Sequence, residues 1–382
     1  MMNKISKGWE KYYLSDCFNT ISIKNKIKTK DYLPQGKFPI IDQGQDFISG
    51  YSNDENLLIK VKKPIIIFGD HTRCFKFINF DFIAGADGIK ILEPKDNFNE
   101  KLFYYFCQIL DFPNKGYSRH FQYLKKAIIN FPKNLSEQKA IADKLDDSFA
   151  KIENAITNLI NAKENLKLYK QSVLKSAFNG DLLPNTSPAH WEVKKLGEIC
   201  EITMGQSPKG ENVFENSQSL NGLEFHQGKI CFTDKFISKS KFITSDIRKI
   251  AEVGSILLCV RAPVGIINLT ERKIAIGRGL CALKANNQNN NFLYYYLLGL
   301  KQYFESKATG STFSAITLNI VKNCEIPLPP LSEQNLIVAE IDRRFAIVDK
   351  TLNLIDKSIQ NAKNLKQSIL KKAFSGELRS EI

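Results

Sequence analysis

The stretch LSEQKAIADKLDDSFAKIENAITNLINAKENLKLYKQSVLKSAFNGDL occupies residues 135–182, and it returns as LSEQNLIVAEIDRRFAIVDKTLNLIDKSIQNAKNLKQSILKKAFSGEL at residues 331–378. The two copies align without a gap at an offset of 196 residues, and 19 of the 48 aligned positions are identical. Identity over such a length indicates an internal duplication. We therefore expect the chain to be built from two related halves, each ending in this repeat.

Each copy of the repeat predicts one long helix. Apolar residues recur at alternating spacings of four and three, which is typical of a two-stranded coiled-coil seam. Ser136 and Ser332 are candidate N-caps, and Gly180 and Gly376 follow the last turn, where a C-cap glycine belongs. A bundle or dimerisation helix remains the alternative interpretation. The predicted seam residues are Leu145, Phe149, Ile152, Ile156, Leu159, Leu166, Val173 and Ala177, and then Ile341, Phe345, Val348, Leu352, Ile355, Ile359, Ala362, Leu365, Ile369 and Ala373.

Length and composition limit the class of protein. The 382 residues fit two domains with buried cores, and 43% of them are hydrophobic. No apolar run is long enough to cross a membrane, and the N-terminal sequence MMNKISKGWE has no apolar signal core. The eight cysteines include no CxxC pair, so we expect reduced thiols and a cytoplasmic protein.

The net charge of +14 is unevenly distributed along the chain. Residues 1–133 carry +7 and residues 184–328 carry +5, whereas the repeats carry 0 at residues 134–183 and +2 at residues 329–382. Basic globular segments favour a phosphate-bearing partner such as nucleic acid. The lysine-rich coding of an AT-rich genome is the alternative source of part of this charge.

The order along the chain is head, helix, head, helix. Trp9 opens the first head and Trp191 opens the second, after a linker at residues 184–188. Each head shows short β-branched runs and one aromatic-rich helix, predicted at residues 97–110 and 291–304. The heads share this layout but little sequence, which suggests two related tasks with different targets.

Each head has one polar loop between apolar runs and one glycine turn before a strand. The loops are GDHTR at residues 69–73 and RAPVG at residues 261–265, and the turns are GADG at residues 85–88 and GRG at residues 277–279. An arginine at such a tip can pair with a guanine edge, and acidic or amide side chains can read other bases. Alternatively, Asp70 and Arg73 only close a turn, and Arg278 pairs with a core acid. The candidate DNA-contacting residues are Gln43, Asp70, His71, Thr72, Arg73, Asp87 and Arg119 in the first head, and Gln206, Ser207, Lys209, Arg261, Arg278, Ser311 and Thr312 in the second.

The sequence offers no complete catalytic or metal-binding motif. None of the four histidines has metal-ligand spacing, and Pro94 would interrupt the strand that a nuclease pattern from Asp81 to Lys95 requires. The segment at residues 222–229 is one residue too long for a Walker A loop, and no Asn/Asp-Pro-Pro-aromatic motif of an amino-methyltransferase occurs. We therefore expect no catalytic residues, no metal site and no cofactor of its own.

Taken together, these motifs resemble the specificity (S) subunit of bacterial type I restriction–modification systems over essentially the whole chain. Any one of the motifs is weak, but together with the repeat they are specific. The first copy departs from the pattern only before its long helix, where NFPKN at residues 130–134 replaces the proline-rich run of the second copy. The motifs are GKFPIIDQGQ (36–45), FGDHTR (68–73), GADGIK (85–90), MGQSP (204–208), VRAPVG (260–265), IGRGL (276–280) and IPLPPLSEQ (326–334).

This resemblance implies an α/β (α+β) fold with a pseudo-two-fold repeat. Two target-recognition domains, at residues 1–133 and 184–330, would each read half of a split site in double-stranded DNA. The long helices, at 134–183 and 331–382, would pair as an antiparallel coiled-coil spacer that sets the gap between the half-sites.

The resemblance also implies partners and a non-catalytic role. Two methyltransferase (M) subunits would dock on this frame, and motor-nuclease (R) subunits would join them. S-adenosylmethionine, ATP and Mg²⁺ would belong to those partners. Three alternatives remain at this point: a coiled-coil adaptor with protein-binding heads, an S-like subunit of a related modification system that is not type I, and a self-sufficient nuclease.

Overall fold

The computed structural model describes residues 8–23, 25–85, 88–112, 118–184, 186, 188–215, 222–310 and 314–377. Contacts divide the chain into two compact units, one with residues 1–160 and 356–382 and one with residues 161–355. Each unit therefore contains one head and parts of both long helices. These units cut across the four segments expected from the sequence, because each head packs on the beginning of one helix and the end of the other.

The first head consists mainly of short strands, as its β-branched runs predict. In chain order its elements are β1 (Trp9–Tyr13), β2 (Phe18–Ile21), β3 (Phe38–Ile41), β4 (Gly50–Ser52), β5 (Leu58–Ile59), β6 (Ile65–Gly69), β7 (Phe75–Ile78), β8 (Phe82–Ala84), β9 (Ile89–Pro94), α1 (Glu100–Cys107), α2 (Phe121–Lys126) and β10 (Ile128–Pro132), followed by the long helix α3 (Leu135–Phe178).

Two four-stranded sheets and the antiparallel pair β1–β10 form this head. One has the order β2-β9-β6-β7 and is antiparallel, and the other has the order β4-β3-β8-β5 with a parallel β3–β8 pair. Strand β6 is buried on both faces, which explains its continuous apolar sequence. Ile65 and Ile67 contribute to a core with residues of the second sheet, whereas Ile66 and Phe68 contribute to a core with α1 and the long helices.

The second head repeats this architecture. Its elements are β11 (Glu192–Lys195), α4 (Leu196–Ile199), β12 (Cys200–Met204), β13 (Val213–Glu215), β14 (Leu223–His226), β15 (Phe242–Thr244), β16 (Ile250–Ala251), β17 (Ile256–Cys259), β18 (Ile267–Leu269), β19 (Ile274–Ile276), β20 (Leu280–Ala285), α5 (Asn290–Leu298), α6 (Lys301–Lys307), α7 (Leu318–Lys322) and β21 (Glu325–Leu328), followed by the long helix α8 (Leu331–Ser375). One sheet has the order β12-β20-β17-β18 and the other β13-β15-β14-β19-β16, with β14 and β19 parallel.

The single helix predicted at residues 291–304 is wrong, because two helices occupy this segment. Helix α5 ends at Leu298 and α6 begins at Lys301. Gly299 is the C-cap of α5. Glycine is a poor helix former, so the break falls where the helix is intrinsically weakest.

The ends of the long helices are partly as predicted. Gly180 and Gly376 have φ angles of +79° and +82°, so the predicted C-cap glycines are confirmed. The serine N-caps are wrong, because α3 and α8 already begin at the preceding leucines. At α3 the Asn134 side chain accepts a hydrogen bond from the Ser136 amide at 2.7 Å. At α8 the Pro330 carbonyl accepts from two amides of the first turn.

The two long helices pair in antiparallel directions in both units. In the first unit, Leu145 and Phe149 near the start of α3 share a core with Leu370 and Phe374 near the end of α8. In the second unit, residues near the end of α3, such as Ala177, share a core with residues near the start of α8, such as Ile337 and Ile341. The expected antiparallel coiled coil is therefore confirmed.

One predicted seam residue is wrong. Leu365 is 51% exposed, and the neighbouring Lys366 takes the inward position instead. Its ammonium group lies 4.8 Å from the centroid of the Phe149 ring and 2.6 Å from Glu153. The offset of 196 residues relates this cluster to one in the second unit, where Lys170 lies 4.8 Å from the centroid of the Phe345 ring and pairs with Asp349 at 2.5 Å.

The LSEQ motif binds each head to its long helix. In the first unit, Trp9 Nε1 donates to Glu137 at 3.0 Å, and in the second unit Trp191 Nε1 donates to Glu333 at the same distance. The next residue is buried in both copies, and Gln334 illustrates its bonding. Its amide nitrogen donates to the Pro329 carbonyl at 2.8 Å, and its oxygen accepts from the Asn289 amide at 3.0 Å. The repeated motif is thus explained by repeated contacts.

Candidate nucleic-acid interface

The second head contains a cleft bordered by cationic side chains. Its volume is about 180 Å³, and it lies where β14 and β17 end and β20 begins. Of the described residues that line it, three carry a positive charge and none carries a negative charge. Such a cleft favours an anionic ligand. The lining residues are Gln227, Gly228, Lys229, Cys259, Arg261, Ala262, Pro263, Arg278 and Gly279.

Glycines allow three backbone segments to meet beside this cleft. A Cβ atom on Gly205 would lie 2.1 Å from the Gly277 carbonyl oxygen, and one on Gly279 would lie 2.2 Å from the Gln227 carbonyl oxygen. No side chain fits at either distance, so glycine is required at both positions. The MGQSP and GRG motifs therefore contain glycine because their backbones are in contact.

The same contacts bring three predicted site residues together. The Arg278 amide donates to Ser207 Oγ at 3.3 Å, and the Gln206 amide donates to the Ile276 carbonyl at 3.0 Å. Arg278 lines the cleft and is exposed. Lys209 is exposed but does not line it, and its ammonium group lies 3.8 Å from Glu211. The structure thus groups Gln206, Ser207 and Arg278 and leaves Lys209 outside the cleft.

Backbone hydrogen bonds fix the loop that carries Arg261. The Val260 amide donates to the Gly279 carbonyl at 3.0 Å, and the Ala262 amide donates to the Ser314 carbonyl at 3.0 Å. Arg261, which lies between these two bonds, is itself exposed. A fixed backbone limits the conformational entropy that the loop loses on binding. Arg261 is therefore placed as a pre-positioned cation at the rim of the cleft.

The cations of the cleft have no carboxylate partner among the described residues. No described carboxylate lies within ion-pair distance of Arg261, Arg278 or Lys229. The alternative that Arg278 pairs with a core acid is therefore not what the described residues show. The arginine that does so is Arg272, which forms a two-pronged pair with Glu224 at 2.6 and 2.7 Å.

Glu224 is the centre of a half-buried polar cluster on the strand that leads into the cleft wall. It lies on β14, whose last residue, His226, precedes the Gln227 wall of the cleft. Besides Arg272, its carboxylate accepts from His226 Nε2 at 2.8 Å and from the Ser240 amide at 2.7 Å. These bonds hold the end of β14 and thereby position the cleft wall.

The cluster lowers the pKa of Glu224 and of His226. Burial alone would raise the pKa of Glu224, but the hydrogen bonds from Arg272, the Ser240 amide and His226 outweigh it and hold that pKa at about 2. Burial lowers the pKa of His226 below its ordinary value, although the carboxylate of Glu224 opposes this shift. Glu224 is therefore an anion and His226 a neutral donor at neutral pH.

The thiol in the cleft wall is not a nucleophile. Burial raises the pKa of Cys259 to about 12, so the thiolate form is negligible at neutral pH. The side chain is 2% exposed. The groups that the cleft offers to a ligand are therefore charges and hydrogen-bonding groups, and its one cysteine serves packing.

In the first head, the structure brings three predicted site residues together beside Gly88. Thr72 Oγ1 donates to the Gln43 carbonyl at 2.6 Å, and the His71 amide donates to Gln43 Oε1 at 3.3 Å. A Cβ atom on Gly88 would lie 2.5 Å from the same Gln43 oxygen. Gln43, His71 and Thr72 therefore form one surface beside the turn at Gly88.

Asp70 is buried and hydrogen-bonded in the first head. It is only 4% exposed, and its carboxylate accepts from the Phe121 amide at 2.7 Å. Its carbonyl accepts from both the amide and Nδ1 of His120, at 2.9 and 3.0 Å. This burial and bonding favour the alternative in which Asp70 closes the turn and holds the neighbouring loop. The DNA contact expected for Asp70 stays a prediction.

A second carboxylate, that of Asp42, stabilises the loop that carries Gln43. Asp42 Oδ1 accepts from the Gly44 amide at 2.7 Å and from Ser49 Oγ at 2.6 Å, and Lys76 lies 3.9 Å away. Lys76 is 4% exposed, and burial lowers its pKa. Asp42 immediately precedes Gln43, so this cluster holds the Gln43 loop as Glu224 holds the cleft wall.

The two heads correspond through their backbone hydrogen bonds. The Asp70 amide donates to the Gly88 carbonyl at 2.6 Å, just as the Val260 amide donates to the Gly279 carbonyl. Asp70 and Val260 therefore occupy equivalent positions at the ends of β6 and β17. The two heads thus share a frame at their candidate sites, and only the side chains on it differ.

This correspondence changes which residues are compared between the heads. His71, and not Arg73, occupies the position of Arg261. Arg73 lies in the left-handed region with φ of +62°, and its amide donates to the Gly69 carbonyl at 2.8 Å, so it closes the turn as one alternative expected. Arg119 is exposed beside the buried His120. The first head therefore presents different chemistry on the same frame.

Some predicted residues lie outside the described part of the chain, and others were missed. Asp87, Ser311 and Thr312 are not among the described residues. The sequence reasoning missed Gln227 and Lys229, which line the cleft. The signal was present, since Gln227-Gly228 follows a strand much as Gln43-Gly44 does. In the sequence, residues 222–229 were compared only with a Walker A loop, which they do not match.

The described residues contain neither a metal-binding cluster nor a membrane-spanning helix. No group of three or more His, Cys, Asp or Glu side chains in them is arranged to hold a metal ion. None of their helices combines the length and the apolar sequence that a membrane crossing requires.

Comparison with protein families finds one match over most of the chain. The type I restriction modification DNA specificity domain matches residues 6–162 and 188–362, which is once per head. The specificity subunit of the EcoR124I/EcoR124II enzyme of Escherichia coli is 25% identical over 359 residues, covering 88% of this chain and 86% of that protein. A putative specificity subunit, MjaX of Methanocaldococcus jannaschii, is 31% identical over 258 residues, but this match spans only 58% of that protein's length.

Solved structures give the same result. A chain from a study of complex assembly and conformational transition of the type I R-M system has a TM-score of 0.76 and 25% identity, and the match covers 98% of this chain and 100% of that one. The crystal structure of the HsdS subunit from Thermoanaerobacter tengcongensis has a TM-score of 0.60 and 25% identity, with 98% of both chains covered. Sequence and fold therefore agree over nearly the whole chain.

Proposed function

Because the chain belongs to the family of type I restriction–modification DNA specificity subunits, which are non-catalytic, we propose that it reads a bipartite, asymmetric DNA site with one head per half-site. Members of this family work in complexes with methyltransferase and restriction subunits and DNA. Membership of the family does not by itself identify the residues of this chain that contact DNA, or how the DNA site is divided between the heads. The geometry of the two heads supports an answer to both questions.

The observation that carries the proposal is the cationic cleft of the second head. Arg261 and Arg278 are exposed on fixed backbone turns and have no described carboxylate partner. A guanidinium group can donate two hydrogen bonds to the O6 and N7 atoms of one guanine. We assign Arg261 and Arg278 to base reading, and Lys229 to a backbone phosphate, since a lysine supplies a point charge.

The first head would read its half-site with different side chains. Gln43, His71 and Thr72 form one surface there. Arg119 is exposed and directly precedes the buried His120. A glutamine side chain pairs well with adenine, whereas an arginine pairs well with guanine. The same frame with different reading residues accounts for an asymmetric site.

We further propose that two methyltransferase subunits dock on the long helices and that restriction subunits join them. Supporting this, both units leave large apolar side chains exposed on these helices. Leu168 and Leu354 in the second unit are 60% and 55% exposed, and the pair Tyr169 and Leu365, related by the 196-residue repeat, is exposed in the two units. Apolar surface that is exposed on a helix is available for contact with another protein. A duplicated surface fits two copies of one partner.

The cofactors follow from this division of tasks. S-adenosylmethionine, ATP and Mg²⁺ would be bound by the partner subunits and none by this chain, which would work with them in the cytoplasm. The eight cysteines are all free, which is consistent with a reducing compartment.

A salt series tests the DNA-binding proposal. The chain with its methyltransferase subunits should bind duplex DNA with an affinity that falls steeply as salt rises, by about 0.9 logarithmic units per phosphate contact for each tenfold increase in salt. A matched complex with Lys229→Ala should show a shallower slope by about one contact. Binding that is insensitive to salt, or heads that bind protein and not DNA, would contradict the proposal and favour an adaptor.

A further inference from the structure

Ile230 is the most exposed large apolar side chain in the described part of the chain. It is 97% exposed, and the next value is 64%, for Val193. Complete exposure forgoes the stabilisation that burial of an isoleucine supplies. A partner that covers Ile230 would recover it.

The backbone around Ile230 is held in place, so its outward direction is fixed. The Phe232 amide donates to the Lys229 carbonyl at 2.9 Å, and the Ser238 amide donates to the Cys231 carbonyl at 2.8 Å. Cys231 and Phe232 pack against a core cluster of the second head. The residues after Ile230 thus face inward, whereas Ile230 itself does not.

Ile230 also adjoins the cationic cleft. Its neighbour Lys229 lines the cleft together with Arg261 and Arg278. The first head places an exposed apolar residue in the corresponding loop, since Phe47 follows β3 and is 50% exposed. An exposed apolar side chain therefore occurs in the loop after the equivalent strand in both heads.

We propose that Ile230 contacts the 5-methyl group of a thymine in the half-site read by the second head. This inference rests on the proposed function, because it requires that the cleft lie against DNA. Because the neighbours of Ile230 are cationic, they favour DNA as its partner over an apolar protein surface. Thymine is the base that offers an apolar group in the major groove, where arginines also read guanine.

Uracil substitution tests this contact, because it removes the methyl group and leaves base pairing intact. Once the methylated motif is known, each thymine of the second half-site is replaced by deoxyuridine in a synthetic duplex. The complex of the full chain with its methyltransferase subunits should lose about fourfold in affinity at one of these positions, as expected for one buried methyl group. Ile230→Ala should weaken binding to the thymine duplex by at least as much and show no further loss with uracil.

Val253→Ala is the matched control, because Val253 is 54% exposed in the same unit but does not line the cleft. It should leave affinity and the uracil effect unchanged. Three results would overturn the contact: wild-type affinity in Ile230→Ala, a loss in Ile230→Ala while every uracil is tolerated, as for a side chain wedged between base pairs, or a second half-site without an A·T pair. Failure of the unmodified complex to prefer its own site would instead refute the proposed function, and the thymine contact with it.

Discussion

At the scale of single residues, Arg261 is the sharpest test of the cleft. Arg261→Ala should weaken binding to the cognate site by about 1–3 kcal/mol, because a two-pronged arginine–guanine pair supplies that much discrimination. Arg261→Lys should recover little, since an ammonium group cannot form both bonds. Equilibrium binding of the complex to cognate and scrambled duplexes measures both effects.

The control for Arg261 is another arginine of the same head. Arg248→Ala removes an exposed arginine that pairs with Asp246 at 2.6 Å and does not line the cleft. It should leave the preference for the cognate site unchanged. If Arg261→Ala instead releases the methyltransferase subunits while Arg248→Ala does not, Arg261 has a structural role and the reading assignment is wrong.

Glu224 gives a prediction for stability and its pH dependence. Glu224→Gln should lower the free energy of unfolding of the second unit by about 2–3 kcal/mol at pH 7, somewhat less than for a fully buried pair, because the Arg272 side chain is 30% exposed. Glu252→Gln is the control, since its pair with Lys273 is half-exposed and should contribute little. Thermal unfolding of the two variants makes the comparison.

The direction of the pH effect follows from the lowered pKa values. Glu224 has a folded pKa of about 2 against an ordinary 4.5, so its contribution is complete above pH 4.5 and is lost as pH falls toward 2. His226 has a pKa below its ordinary 6.5, so the unfolded chain also takes up this proton first, and stability begins to fall below pH 6.5. Glu224→Gln should flatten the acid limb below pH 4.5. An unchanged acid limb would show that the cluster does not control acid stability.

At the scale of elements, the polar contacts at the start of each long helix are as important as the seam. Gln334 is fully buried and bonds the Pro329 carbonyl and the Asn289 amide. Gln334→Ala leaves the buried Pro329 carbonyl and the half-buried Asn289 amide without this partner. An unsatisfied buried group costs about 1–3 kcal/mol. Gln138→Ala should do the same in the first unit.

Gln360→Ala is the matched control for these variants, because Gln360 lies on the exposed surface of α8 and bonds only to Asn364 in the same helix. Its melting temperature should equal that of the unmodified chain. Equal melting temperatures for Gln334→Ala and Gln360→Ala would mean that the buried amide does not hold the helix to the head.

The helices and most strands could be predicted from the sequence because their signals are local and periodic. The 4-3 spacing identified both long helices, and Gly376 marked an end correctly because a left-handed C-cap requires little else. The seam failed at Leu365 because Lys366 can stack its long side chain on Phe149 and keep its charge paired. A pattern that counts only apolar residues cannot register such a lysine.

The site was harder to predict, since it depends on contacts between distant segments. Arg261 and Arg278 were identified from their turns, but Gln227 and Lys229 join them only through the parallel pairing of β14 with β19. The sequence alone does not distinguish the roles of Arg272 and Arg278. In the structure, Arg272 is bound to Glu224, whereas Arg278 lines the cleft. Which arginine is available is decided by tertiary structure.

At the scale of the whole molecule, the account makes the two heads separable readers on one duplicated frame. Replacing residues 1–133 with the corresponding head of a relative that keeps the Trp9 and Gln138 contacts should change one half of the recognised motif. The other half should stay the same, because its residues lie in the second unit. A change in both halves would contradict independent reading.

Methylation sequencing of cells that carry this chain with its methyltransferase subunits, compared with cells that lack the chain, tests the central claim most directly. The account predicts a methylated motif made of two specific half-sites separated by unread bases. In the cells with the exchanged first head, one half-site should be replaced and the other retained. A continuous motif, or no methylation that depends on this chain, would contradict the account.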